Sequence, residues 1–164
     1  MLVVIVLWNM RHSGAWDKDP KRAFLNGPVA RPGKYIVELT INDKEYASQF
    51  EILMDPKIVD SGIRVHHLKA QEKLALKVRE LLTKSKMMAY KLEDVSRGPK
   101  LNIKKEFVTN DGPYPQPMLI DQTRYLASMI NRVDQEPGED AYLRYEELLS
   151  QFELLQNELN SLND

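Results

Sequence analysis

At 164 residues, with 43% hydrophobic and 29% charged side chains, the chain has the length of about one domain and enough apolar content for a packed core. That composition excludes wholesale disorder. Its formal net charge is −1 without long single-sign runs, so neither nucleic acid nor an anionic membrane is expected as an obligate partner. It has no cysteine, which removes disulfides and thiolate metal sites and leaves the compartment undecided.

Leu2 to Leu7 (LVVIVL) is continuously apolar but far shorter than the ~20 residues of a spanning helix. The segment lacks the basic leader and small-residue cleavage site of a signal peptide. It predicts a strand buried on both faces, with a remnant of an export or anchoring segment as the lesser alternative. Arg11 to Arg31 is rich in Gly, Pro, Asp and Lys and reads as a long irregular connection packed on the sheet. Trp8, Trp16 and Phe24 are its aromatic anchors. Long structured loops often carry function, so these three are the candidate ligand-binding residues.

Pro32-Gly33 then opens a hairpin. Tyr35, Val37, Leu39 and Ile41 alternate as one apolar face, Asn42-Asp43 supplies a tight turn, and Tyr46, Phe50 and Ile52 return. Pairing Leu39 with Tyr46 and Tyr35 with Phe50 keeps both apolar sets on the same side.

Residues 1–57 thus read as a β-rich unit and 58–164 as a helical one. The first helix, about 61–97, carries the seam Leu74, Val78, Leu81, Ser85, Met88, Leu92 and Val95, a heptad pattern with one polar interruption at Ser85. It would be ~55 Å long, so its end nearer the β part is free to pack on the sheet or on another copy. Gly98-Pro99 ends it, and Lys100 to Gln116 is expected as an extended, surface-hugging connection. The second helix, about 117–135, has the seam Leu119, Thr123, Leu126, Ile130 and Val133. After the Pro137-Gly138 turn, the third, about 139–162, presents Tyr145, Leu148, Phe152, Leu155, Leu159 and Leu162. The expected class is α+β: a small antiparallel sheet followed by a three-helix antiparallel bundle.

No catalytic constellation, metal site or cofactor motif emerges. Adjacent His66 and His67 project about 100° apart on a helix, whereas paired metal ligands need i,i+3 or i,i+4 spacing; His12 lies far away. Asp134, Glu136, Glu139 and Asp140 crowd a turn without the alternating ligands of a calcium loop, and are expected to cap the third helix. Asp121, Arg124 and Arg132 read as an exposed charged face, with a ligand groove on the second helix as the lesser alternative. There is no Gly-rich phosphate loop, nucleophile elbow or singled-out carboxylate pair.

Several ordered motifs nevertheless carry a resemblance. They are Trp8-Asn9-Met10-Arg11, Gly27-Pro28, Pro32-Gly33-Lys34-Tyr35, Phe50-Glu51-Ile52 and Met54-Asp55-Pro56, with MINRVDQEPGEDAYLRYEEL around the helical turn between Tyr125 and Tyr145. Together these resemble the C-terminal region of bacterial sortilin-like, Asp-box (BNR) repeat propeller proteins, often labelled glycosyl hydrolases. In that family an immunoglobulin-like β unit with a W-[DN]-[ML]-R strand, a PG-x-Y-x-V-x-L hairpin and a closing DP follows the blades and precedes a helical tail. The resemblance spans nearly the whole chain and implies a partial immunoglobulin-like sandwich attached to an exported parent. The propeller and the upstream strands of the β unit have no counterpart here, so no Asp-box and no propeller active site carry over.

Three strands cannot close a two-sheet sandwich, and the bare apolar face and edges need a cover. The expectation is therefore a non-catalytic accessory or assembly module, self-associating through residues 2–7 and packing on a propeller. The alternative is a carbohydrate-binding or glycoside-hydrolase-associated module that uses Trp8, Trp16 and Phe24 as a platform.

Overall fold

A computed structural model describes residues 7–163. Among them the fold is α+β, with one two-stranded antiparallel sheet and five helices. The strand expected over residues 2–7 lies outside the described residues, apart from exposed Leu7.

Strands β1 (Gly33–Ile41) and β2 (Lys44–Ile52) pair with Tyr35 opposite Phe50 and Leu39 opposite Tyr46. Asn42 and Asp43 both take positive φ, 48° and 61°. That is the primed two-residue turn whose twist matches its strands and which Asn and Asp tolerate. The apolar alternation and the turn chemistry therefore specify the same register.

The helix expected over 61–97 is divided and shorter. Helix α1 (Pro56–Asp60) has Pro56 in its first turn, and the Asp55 carboxylate accepts from the Lys57 amide at 2.8 Å. Gly62, with φ of 93°, breaks the run. Helix α2 (Val65–Lys91) starts where His67 Nδ1 accepts the Arg64 amide at 3.1 Å, and it runs unbroken through Ser85. Helix α3 (Pro99–Phe107) stands where an extended connection was expected. Pro99 opens its first turn, and Ile103 and Phe107, four residues apart on one face, are fully buried. Helix α4 (Leu119–Ile130) ends before Val133, which is exposed. Helix α5 (Glu139–Ser161) ends before Leu162.

Helices α2 to α5 share one core. Leu74, Val78, Leu81 and Met88 of α2 pack with Phe107, Leu119, Leu126, Leu148 and Phe152. Gln71 Nε2 donates to the carbonyls of Ile130 and Val133, both at 2.6 Å. The end of α4 thus meets the start of α2, and the two run antiparallel. Phe107 sits edge-on to Phe152 with centroids 6.1 Å apart, which locks α3 onto α5.

Arg11–Arg31 is an ordered double run that packs mainly along α2 and meets the sheet only at the hairpin base, where the Tyr35 hydroxyl donates to the Arg31 carbonyl. Its two limbs are laddered by His12 N to Pro28 O at 2.8 Å, Ala30 N to Met10 O at 2.9 Å and Gly14 N to Phe24 O at 2.8 Å. The limbs approach so closely that a Cβ on Gly14 would lie 1.9 Å from the Leu25 carbonyl oxygen, and one on Gly27 2.1 Å from that of His12. Along α2 this loop meets Glu72, Arg79, Thr83, Lys86 and Tyr90 in turn, and just past the helix end it meets Glu93. Those positions are spaced 7, 4, 3, 4 and 3 residues apart. The first five form a second, largely polar stripe on α2 beside its apolar seam, and Glu93 continues its spacing past the helix end.

Candidate functional site

The three aromatics proposed from sequence occupy different places. Trp8 joins the hairpin: its ring lies 5.6 Å from that of Tyr35 and 5.9 Å from that of Phe50, and its Nε1 donates to the Arg11 carbonyl at 2.8 Å. Trp16 joins α2, tilted against Tyr90 at 5.6 Å, with its amide donating to Thr83 Oγ1 at 3.2 Å. Phe24 is exposed in the left-handed region, φ 62°, where its backbone closes the loop ladder against Gly14 and Ala15. No single platform gathers the three.

Two surfaces stand out instead. The first is the hairpin face. Trp8, Tyr35 and Phe50 cluster at its base, where the Tyr35 hydroxyl donates to the Arg31 carbonyl at 2.6 Å and burial pushes the phenol pKa up. Towards the turn Val37, Leu39, Ile41 and Tyr46 remain 51%, 44%, 46% and 56% exposed. Among the described elements the strands pack only on each other, so no helix covers either face.

The second is a cleft of about 590 Å³ where the loop tip meets the ends of α2, α3 and α4. Trp16 and Tyr90 wall it, and Ala89, Val108 and Ile120 supply apolar lining. Its three carboxylates are each matched. Lys86 Nζ donates to Asp17 at 2.8 Å, Lys18 pairs with Glu93, and Arg124 pairs with Asp121. The Lys86 hydrogen bond, helped by the Asp19 amide and opposed by burial, holds the Asp17 carboxyl below the ordinary carboxylate range. Glu93 in turn raises the Lys18 ammonium. Arg22, which pairs with Asp19, and Lys104 also line the cleft, so its lining carries more cations than carboxylates in a chain whose net charge is −1. Sequence reading left Tyr90 and Lys104 unremarked, because nothing local shows that the loop folds back onto the polar stripe of α2.

The remaining candidates hold structure together. His66 and His67 stack edge to face at 4.0 Å, and His67 Nε2 lies 3.5 Å from Glu136. The acidic turn supplies Glu139 and Asp140 to the first turn of α5, but Gly138 is the N-cap and no side chain caps it. Asp121 and Arg124 line the cleft and pair with each other, with side chains 36% and 56% exposed as the charged-face reading expects. Among the described residues no cluster of three or more His, Asp or Glu could hold a metal ion, and no helix is long and apolar enough to cross a membrane. No protein-family profile, curated protein or solved structure matches the chain.

Proposed function

We propose that this chain is a non-catalytic accessory module that assembles with a larger protein or a second copy through the apolar face of its hairpin. The observation that carries this reading is the open set Val37, Leu39, Ile41 and Tyr46 on strands that no helix covers. A two-stranded hairpin is marginal alone, and bare apolar faces rimmed by polar residues favour association. In the reading suggested by the family resemblance, the hairpin belongs to a partial immunoglobulin-like unit, the helices form its bundle-like tail, and the larger partner is a sortilin-like propeller. A homodimer that uses the same surface, with residues 2–7 contributing, is the form accessible with the chain alone.

The test is light scattering on a sizing column across a concentration series, for the wild type and for Leu39→Lys. The expected result is a dimer that Leu39→Lys converts to a monomer with unchanged helical circular dichroism. Wild-type protein that stays monomeric throughout and matches the variant would overturn self-association through this face.

A further inference from the structure

We propose that the Trp16–Tyr90 cleft binds a small organic anion bearing a planar aromatic ring. The cleft volume of about 590 Å³ falls within the ~300–1,000 Å³ of small-molecule sites. Its chemistry divides into two parts that a single ligand would satisfy together. The tilted pair of Trp16 and Tyr90, centroids 5.6 Å apart, offers a ring wall beside apolar lining, and Tyr90 is half open to solvent. Aromatic rings meet in offset or tilted geometry at such separations, so a third ring extends the pair without disturbing it.

The charged part lies beside that wall. The three carboxylates are neutralised by Lys18, Lys86 and Arg124. The ammonium of Lys104 uses two of its three donors on the Glu93 and Val95 carbonyls, at 2.5 and 3.2 Å, which leaves one for a ligand. Arg22 lines the cleft and pairs with Asp19 at 3.7 Å, with its side chain 78% exposed, so water weakens that pair and a ligand anion would compete for the guanidinium. A carboxylate or phosphate placed between Arg22 and Lys104 gains charge-assisted hydrogen bonds while its ring rests against the aromatic wall. A neutral ring forfeits the first contribution, and a ringless anion the second.

The chain has two tryptophans, so Trp8→Phe makes Trp16 the sole indole reporter. Its fluorescence would be titrated with 4-hydroxybenzoate and with phenyl phosphate, which separates a carboxylate preference from a phosphate one. Benzyl alcohol and acetate serve as the ring-only and charge-only probes. The expected result is saturable quenching by at least one aromatic anion, with both single-feature probes weaker by about tenfold or more. Arg22→Gln, on an exposed loop side chain, should weaken the anion by about threefold to tenfold and leave benzyl alcohol unchanged. Equal binding of benzyl alcohol, an Arg22→Gln variant that binds as tightly, or no saturable response to any probe would overturn the proposal. The reporter lies away from the hairpin, and titrating Leu39→Lys in the Trp8→Phe background separates this site from the assembly surface.

Discussion

Glu72 holds Arg31 twice: one carboxylate oxygen accepts the Arg31 amide at 3.1 Å, and the other lies 3.0 Å from its guanidinium Nε. The first oxygen also meets His12 Nε2 at 2.8 Å. One mostly buried side chain of α2 therefore ties down both ends of the loop, immediately before the chain enters β1. Glu72→Ala should cost about 2–3 kcal/mol, because it leaves a backbone donor and a cation without their partner. That corresponds to a fall in Tm of about 4–12 °C for a chain of this size. Hydrogen exchange should rise over residues 10–31 while the α2 and α5 amides stay protected. An unchanged melting curve would show that the loop is held by other contacts.

Asp17 and Lys86 make the loop's attachment depend on pH. The Lys86 hydrogen bond and the Asp19 amide lower the folded-state pKa of Asp17 beneath its ordinary value of 3.8. A depressed carboxylate contributes stability above its unfolded pKa and loses it as pH falls through the folded one. Denaturant unfolding of wild type and Lys86→Met should therefore differ by about 1 kcal/mol at pH 7. The gap should narrow only once pH falls beneath the ordinary value of 3.8, and close as it passes through the lower folded-state pKa of Asp17. A constant gap across that range would assign the effect of Lys86 to packing of its aliphatic stem.

Phe107 tests the helix that the sequence reading passed over. It is fully buried and sits edge-on to Phe152. Phe107→Ala should cost about 3–5 kcal/mol, the range for removing a core aromatic. Val108→Ala, one residue on and exposed, should stay within about 0.5 kcal/mol. Equal effects in urea melts would place α3 outside the cooperative core.

How far the sequence was legible follows from how local each signal is. The Leu39–Tyr46 and Tyr35–Phe50 pairings were readable because side-chain alternation and the Asn42-Asp43 turn are local and agree. The seam Leu74, Val78, Leu81, Met88 was readable for the same reason, through its period. Helix α3 was not. Its flanking prolines signal breaks, and its buried face consists of little more than Ile103 and Phe107, too few to show periodicity in nine residues. The cleft was invisible because Trp16 and Tyr90 are brought together by ion pairs such as Asp17–Lys86, sixty-nine positions apart in sequence. No short-range pattern encodes that meeting.

The loop itself depends on two absent side chains. A methyl on Gly14 or Gly27 would strike backbone carbonyl oxygens at 1.9 and 2.1 Å, contacts that only a backbone shift relieves. Gly14→Ala should therefore separate the limbs and move Trp16 off Tyr90, visible as a red shift and a loss of near-ultraviolet dichroism. Gly112 has no atoms within 4 Å, but its φ of 152° lies at the margin of the left-handed region. Gly112→Ala should cost only about 1 kcal/mol and leave the tryptophan spectrum intact. Identical spectra for the two variants would remove the close approach as the reason for glycine at position 14.

Ser85 interrupts the apolar seam of α2, is completely buried, and has a hydroxyl oxygen without a hydrogen-bond partner among the described residues. An unpaired hydroxyl in the core costs free energy that an apolar side chain of similar size avoids, and alanine is also the better helix former. Ser85→Ala should stabilise the chain by about 0.5–1.5 kcal/mol and raise Tm by a few degrees. Ser85→Leu would complete the heptad on paper, yet its neighbours already close around a small side chain, so overpacking should cost about 1–3 kcal/mol. The two variants separate the reasons for a serine at this position. If alanine destabilises, the hydroxyl has a partner that holds the helices together. If leucine stabilises, the seam contains a void, and a size limit is not the reason for a serine here.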